Sequence, residues 1–359
     1  MQNRLQKLRK LLAAQNLDAV LISSVPNIIY FTGYANFSHI ERDGYLLITK
    51  DKNYLITSAL YYHEVKDAVK HFEIHERTRN RNTRVILQEL LSERQRCGFE
   101  ASNLTVAEHT TILPSTNEWL PVDLSLLREK KDPEEIDATQ EAARFGDKVF
   151  DMLLQNINRD ISEKSLATFI EITAKQADAD ISFAPVIAFG ENAAIPHHHT
   201  GHKKLAADTC ILMDFGIKKY NYCSDMTRTV FFGKPSATFI KIYQTTLDAQ
   251  KKSIEYITNC LDKNEPVIAG KIDQTGRDYI VSRGFPPFNH SSHGIGLEVH
   301  EAPHLFPDYK NHVEENMVFS IEPGIYLPSE MGVRIEDDFA IQNNKLIQLT
   351  KSSRELIEI

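Results

Sequence analysis

The chain has 359 residues, 42% of them apolar and 25% charged, with a formal net charge of −8. That is enough apolar material for one large domain or two ordinary ones, and a mildly acidic chain without a long Lys/Arg block is not built for nucleic acid or an anionic membrane surface. No apolar run approaches the roughly 20 residues that span a bilayer. The four cysteines (Cys97, Cys210, Cys223, Cys260) are far apart without a C-x-x-C pattern, so reduced thiols and a cytoplasmic location are expected.

Leu5, Leu8, Leu11 and Leu12 mark one face of an opening helix, which reads as amphipathic and not as a signal peptide. A buried strand at 18–23, a strand pair at 44–49 and 53–58, a helix at 59–70, a strand near 72–75, a helix near 84–93 and a strand at 97–101 follow. This alternation predicts an α/β domain with a mixed sheet over 1–127. Asp132-Pro133-Glu134-Glu135 then reads as a helix start, with Asp at the N-cap, Pro at the first position and acids in the first turn. In the remainder, 128–359, helices are expected at 133–155, 162–177, 236–260 and 267–283. Strands are expected at 183–189, 209–217 and 221–232, before a Gly-rich strand region that includes "GIGLEV". Strands and helices in runs indicate an α+β second domain.

His300-Glu301-Ala302-Pro303-His304 spells H-E-x-x-H, the pattern in which two histidines on one helix face bind zinc. Pro303 excludes that reading, because inside a helix it would delete a hydrogen bond and clash with the preceding turn, at about 3 kcal/mol.

The acids say more. Asp214 ("ILMDFG"), Asp225 ("YCSDMTRTVFF"), Glu322 ("VFSIEPGIY") and Glu336 ("GVRIEDDFAI") all fall in or at the ends of apolar strands, where a carboxylate needs a partner or a metal. With His293 in "HGIG" they suit hard or borderline divalent ions. These segments resemble those of the pita-bread metallopeptidases, namely methionine aminopeptidase, aminopeptidase P and prolidase. Asp214, Asp225, His293, Glu322 and Glu336 follow the family's ligand order at spacings of 11, 68, 29 and 14 residues. "RLQKLRKLLAAQNLDAVLISSVPNIIYFTGY" is similar to the N-terminal domain of aminopeptidase P, prolidase and creatinase, so the resemblance spans the chain.

The resemblance implies a creatinase-type α/β N-terminal domain and a pita-bread catalytic domain. It implies a homodimer and two divalent ions, Mn²⁺ or Co²⁺ first, Zn²⁺ or Fe²⁺ otherwise. Asp214 would hold one ion, His293 and Glu322 the other, and Asp225 and Glu336 both. The implied reaction is hydrolysis of Xaa-Pro bonds in proline-containing peptides by a metal-bridging hydroxide. Glu322 would serve as proton shuttle, and His197 and His300 would donate hydrogen bonds to the substrate carbonyl. Strand periodicity puts Thr227 on the face of Asp225 and Arg334 on the face of Glu336, as groups that hold carboxylates in place. Tyr326 resembles a site tyrosine of the family. His198, His199 and His202 read as exposed loop histidines.

Two departures bear on substrate. Many relatives read H-x-x-G-H-G-I-G, with a histidine four before the ligand; here that position is Asn289, His290 stands three before, and Ser292 replaces the glycine. Some dipeptide-specific relatives carry an arginine near His304 for the free carboxylate, and Arg42 is another basic residue available for that task. Xaa-Pro dipeptidase and Xaa-Pro aminopeptidase therefore both stay open. A broader aminopeptidase, or a creatinase-like or non-catalytic binding protein on this fold, is the alternative, although the last two predict loss of the five ligands.

Overall fold

The computed structural model describes all 359 residues and divides into two compact units, Met1–Arg128 and Glu129–Ile359. Arg128 belongs with the first because its buried guanidinium donates to Asn27 at 2.8 Å.

The first unit is a six-stranded mixed sheet. Its order is Glu73–Arg77, Asn53–Ser58, Gly44–Thr49, Ala19–Ile22, Arg96–Phe99, Glu118–Pro121. Ala19–Ile22 pairs antiparallel with Gly44–Thr49 and parallel with Arg96–Phe99, so the α/β expectation holds. Leu5, Leu8 and Leu12 are the buried face of the opening helix, Gln2–Ala14. Two helices, Val25–Thr32 and Val106–Ile112, and the strand Glu118–Pro121 add to the elements expected from sequence. Val25–Thr32 is buried at seven of its eight positions, so it has no polar face to reveal a period. It ends at Gly33, whose φ of 76° suits a residue without a Cβ penalty.

The second unit opens with the helix Pro133–Asn156, where the Asp132 amide donates to Glu135 at 2.8 Å. Ile136, Ala142, Ala143, Val149, Phe150 and Leu153 form its buried stripe at helical spacing. The helices Glu163–Gln176, Ala237–Asp262 and Ala269–Ser282 follow. Two antiparallel sheets carry the chemistry. One is ordered Met226–Phe232, Thr209–Phe215, Val186–Phe189; the other Glu301–His304, His293–Gly294, Val318–Ile321, Asp337–Gln342, Lys345–Gln348.

Two glycines in the acidic segments permit close approach. A Cβ on Gly216, after Asp214-Phe215, would collide with the Ser224 carbonyl, and one on Gly294 would collide with the backbone of Ala302. The expected strand over "GIGLEV" is a run of bends instead, and the extended segment is Glu301–His304, the false zinc motif itself. Those residues are strand and not helix, as Pro303 requires.

Candidate metal centre

Asp214 sits inside its strand, opposite Thr227 on one side and Val186 on the other. The other three carboxylates stand where strands break. Asp225 precedes Met226–Phe232, Glu322 follows Val318–Ile321, and Glu336 lies between Met331–Arg334 and Asp337–Gln342. Asp225 and Glu336 thus differ from the expectation that placed them within strands. At a break the backbone is free to bond sideways, and each amide does: Asp225 donates to the Asp338 carboxylate at 2.8 Å, and Glu336 to the Thr227 carbonyl at 3.1 Å.

The five acidic and histidine side chains line one cavity of about 740 Å³. Ligand atoms of Asp225, His293 and Glu336 all lie within 4.8 Å of one another. His293 Nε2 is 3.3 Å from Glu322 and 3.7 Å from Asp225. Asp214 Oδ1, Asp225 Oδ1 and Glu336 Oε1 are buried without a hydrogen-bond partner. Three orphaned carboxylate oxygens on adjacent residues are costly unless a cation occupies the space they face. A set of carboxylates with one imidazole suits a divalent ion of the borderline class, so the residues present fit a metal centre.

The electrostatics agree. Burial, then the neighbouring Glu336 and Asp214, push the Asp225 carboxyl well above its usual range. Burial, then Glu322 and Asp214, do the same to Glu336. Burial raises Glu322 to about 8 although Arg334 pulls it down. Burial drives His293 down to about 3, which keeps it neutral, the form that binds metal.

Arg334 and Thr227 brace these acids crosswise. The Arg334 guanidinium pairs with Asp214 and donates to Thr227 Oγ1 at 3.0 Å, staying 4.0 Å from Glu336. Thr227 Oγ1 donates to Glu336 at 2.6 Å. The expected pairing of Thr227 with Asp225 is replaced by one with Glu336 across the sheet, while Arg334 keeps its ion pair with Glu336 and adds Asp214.

His197 and His300 are both exposed and line the cavity, and the His300 ring meets His293 edge-on at 4.2 Å. His290 lies inside the cavity, with Nδ1 3.1 Å from Glu322 and Nε2 2.8 Å from the Tyr326 hydroxyl, which also accepts from Arg334 at 2.8 Å. Asn289 is exposed, so the displaced histidine, and not the residue at the relatives' position, reaches the site. Burial lowers His290 to about 3 and raises Tyr326 to about 12, leaving both neutral.

Other expectations change. His304 is the register partner of His293 but is exposed, stacked on Phe306 and edge-on to Tyr309, and it is absent from the cavity lining. Arg42 is not available: its guanidinium is committed to Glu108 at 2.7 Å, to Asn103 at 2.6 Å and to the Ser23 carbonyl. His199 and His202 are exposed as expected, but His198 is not, because its ring turns inward to Glu163 at 3.0 Å.

Sequence reasoning misses the groups that hold the His290–His293 segment. Asp273 accepts from the Ser292 hydroxyl at 2.6 Å and its amide at 3.1 Å. Arg277, one turn along the same helix, donates to the carbonyls of Phe288 and His290. It also misses Asp338, whose only sequence mark is its place in Glu336-Asp337-Asp338; Asp337 faces the other way, to Arg228 at 2.5 Å.

Comparison with known proteins follows the same division of the chain. Residues 137–343 match metallopeptidase family M24, and residues 4–128 match the creatinase/prolidase N-terminal domain. An uncharacterised peptidase of Bacillus subtilis, YqhT, is 35% identical over 99% of both chains. Among solved structures, an Xaa-Pro dipeptidase from Bacillus anthracis superposes with a TM-score of 0.90 at 28% identity, covering 100% of this chain and 99% of that one. A prolidase from Thermococcus sibiricus does so with a TM-score of 0.90 at 31% identity and the same coverage.

Proposed function

The chain belongs to metallopeptidase family M24, with a creatinase-type N-terminal domain and a pita-bread catalytic domain, and from that premise we propose that it cleaves Xaa-Pro peptide bonds with two divalent metal ions. The reading rests on one observation: three buried carboxylate oxygens, on Asp214, Asp225 and Glu336, have no partner in the protein and stand beside a neutral His293 and Glu322. The similarity to a solved prolidase and Xaa-Pro dipeptidase supports the choice of scissile bond.

In this reading Asp214, Asp225, His293, Glu322 and Glu336 would together hold the two ions. Such ions, Mn²⁺ or Co²⁺ first, supply Lewis acidity and lower the pKa of water toward neutrality when bound. The chain's own residues do the rest. Glu322, buried beside His290 and His293, is placed to receive a proton and pass it to the leaving nitrogen. The proline nitrogen, like any amine leaving group, departs only once protonated, and the proton that the attacking water gives up balances that step. His197 and His300, on the cavity wall, donate to the carbonyl oxygen as charge develops. His290, steadied by Tyr326, borders the same space. Phe183, Ala184, Pro185, Val186 and Ala167 also line the cavity and give it an apolar part suited to a proline ring.

The test is a panel of Ala-Pro, Ala-Pro-Ala and Ala-Ala with metal-loaded protein. Cleavage of a proline substrate and not of Ala-Ala is the expected result, and the ratio of the first two assigns dipeptidase or aminopeptidase. Cleavage of Ala-Ala at an equal rate would move the protein to a broader aminopeptidase.

A further inference from the structure

The loop from Gly190 to Gly201 carries His197, and its only buried residue is Ala193, which packs in a core cluster. Thr200 Oγ1 joins the loop to the Ile187 amide and the Pro185 carbonyl, and three further loop residues bond one side chain. Glu163, at the first position of the helix Glu163–Gln176, is 0% exposed. Its Oε1 accepts from the Phe189 amide at 2.9 Å and Asn192 Nδ2 at 2.7 Å. Its Oε2 accepts from His198 Nε2 at 3.0 Å and the Gly201 amide at 3.1 Å. A buried carboxylate with four donors, at a helix N-terminus that favours its charge, is fully satisfied. Those donors lie at both ends of the loop and at two points within it. From the other side, Arg334, the guanidinium that braces Asp214, donates to the Pro196 carbonyl at 3.2 Å. His197 is therefore bracketed between a residue tied to the metal-centre arginine and one tied to Glu163, while its own ring has no hydrogen-bond partner within the protein.

We propose that Glu163 is a positioning residue for catalysis: it sets the loop so that His197 faces the reacting carbonyl, and it turns His198 inward as part of the cavity wall. The inference rests on the role given to His197 above. Glu163 is itself neither one of the proposed metal ligands nor a lining residue of the cavity; it reaches the wall only through His198. Gln at this position keeps the shape but puts an amide N–H₂ against two donors, so half of the clamp is lost.

The experiment is a double-mutant cycle on the full-length, metal-loaded protein with Ala-Pro as substrate. Glu163→Gln should lower kcat roughly 10–100-fold with KM moved less than about three-fold, and in a His197→Ala background it should cost less than about three-fold more. Metal content should be unchanged, while amide hydrogen exchange across 190–201 rises and that of Thr209–Phe215 does not. If Glu163→Gln does not fold, Asn192→Ala with His198→Leu removes two of the four donors and should lower kcat in the same direction. Unchanged kcat in the folded variants, or an equal loss in the His197→Ala background, overturns the positioning role while leaving the metallopeptidase reading intact. Full kcat in His197→Ala alone would remove His197 from that reading, and this inference with it.

Discussion

The hydroxyl of Thr227 donates to Glu336 Oε2 at 2.6 Å and accepts from Arg334 at 3.0 Å, so one small side chain orients both a proposed ligand and the guanidinium that braces another. All three groups are buried. Thr227→Val keeps the shape and removes both bonds, leaving a carboxylate oxygen and a guanidinium N–H unpaired. Metal affinity should fall about 10–100-fold, and stability by about 1–3 kcal/mol. Thr227→Ser should restore both. Isothermal titration of the stripped variants with Mn²⁺ checks this; wild-type affinity in Thr227→Val would show that the hydroxyl does not orient Glu336.

The raised carboxyls fix a pH dependence for the metal-free protein. The ordinary glutamate value is 4.5, and Glu322 in the folded chain is raised to about 8, with Asp225 and Glu336 raised as well. As pH rises above 4.5 the unfolded chain ionises first, so the folded state holds more protons and loses stability until pH passes about 8. His290 and His293 act oppositely: lowered from 6.5 to about 3, they destabilise the fold as pH falls below 6.5. Above pH 6.5 the histidine effect, His300 included, fades, and the carboxyls dominate up to about 8. The Tm of chelator-treated protein should fall across that window, and the rise in Tm on adding Mn²⁺ should be larger at pH 8 than at 6.5. A metal-free Tm that climbs over that range contradicts the assignment.

Asp273 holds the segment leading to His293 through the hydroxyl and amide of Ser292. Ser292→Ala removes a buried bond to a carboxylate and should cost about 1.5–3 kcal/mol. Because His290 and His293 flank it, the same change should weaken metal binding and lower turnover together. Thermal unfolding and metal titration on one preparation separate this from a stability loss alone.

His304 and Arg42 should not govern recognition of a free carboxylate. His304 is exposed outside the cavity lining, and Arg42 is spent on Glu108, Asn103 and Ser23. His304→Ala should change KM for Ala-Pro less than about three-fold. Arg42→Gln should instead lower stability by about 2 kcal/mol or more, through lost charged hydrogen bonds. A large KM increase in His304→Ala would return that residue to the site.

Sequence shows best what periodicity and special chemistry mark. The face of the first helix and the start at Asp132-Pro133 are legible because amphipathic spacing and capping are local. The four candidate site carboxylates stand out because a carboxylate in or beside an apolar strand is costly unless a cation or a donor meets it there. Val25–Thr32 is not legible because burial all round erases a period. The partner of Thr227 is misassigned because same-face spacing along one strand does not reveal what lies across the sheet. Thr227 and Glu336 are 109 positions apart and meet only in the folded chain. Asp273, Arg277 and Glu163 lie on helices whose sequence gives no reason to single out one charge from its neighbours. His198 reads as solvent-exposed because nothing near it in sequence announces Glu163.

Metal stoichiometry measured together with activity tests the central claim most directly. Protein stripped by chelation and titrated with Mn²⁺ should regain Ala-Pro or Ala-Pro-Ala cleavage as metal is added and reach two ions per chain at full rate. Asp225→Asn, which alters one of the proposed ligands, should bind less metal and recover almost no activity. Full proline-peptide cleavage after chelation, or wild-type rate and stoichiometry in Asp225→Asn, would contradict the account.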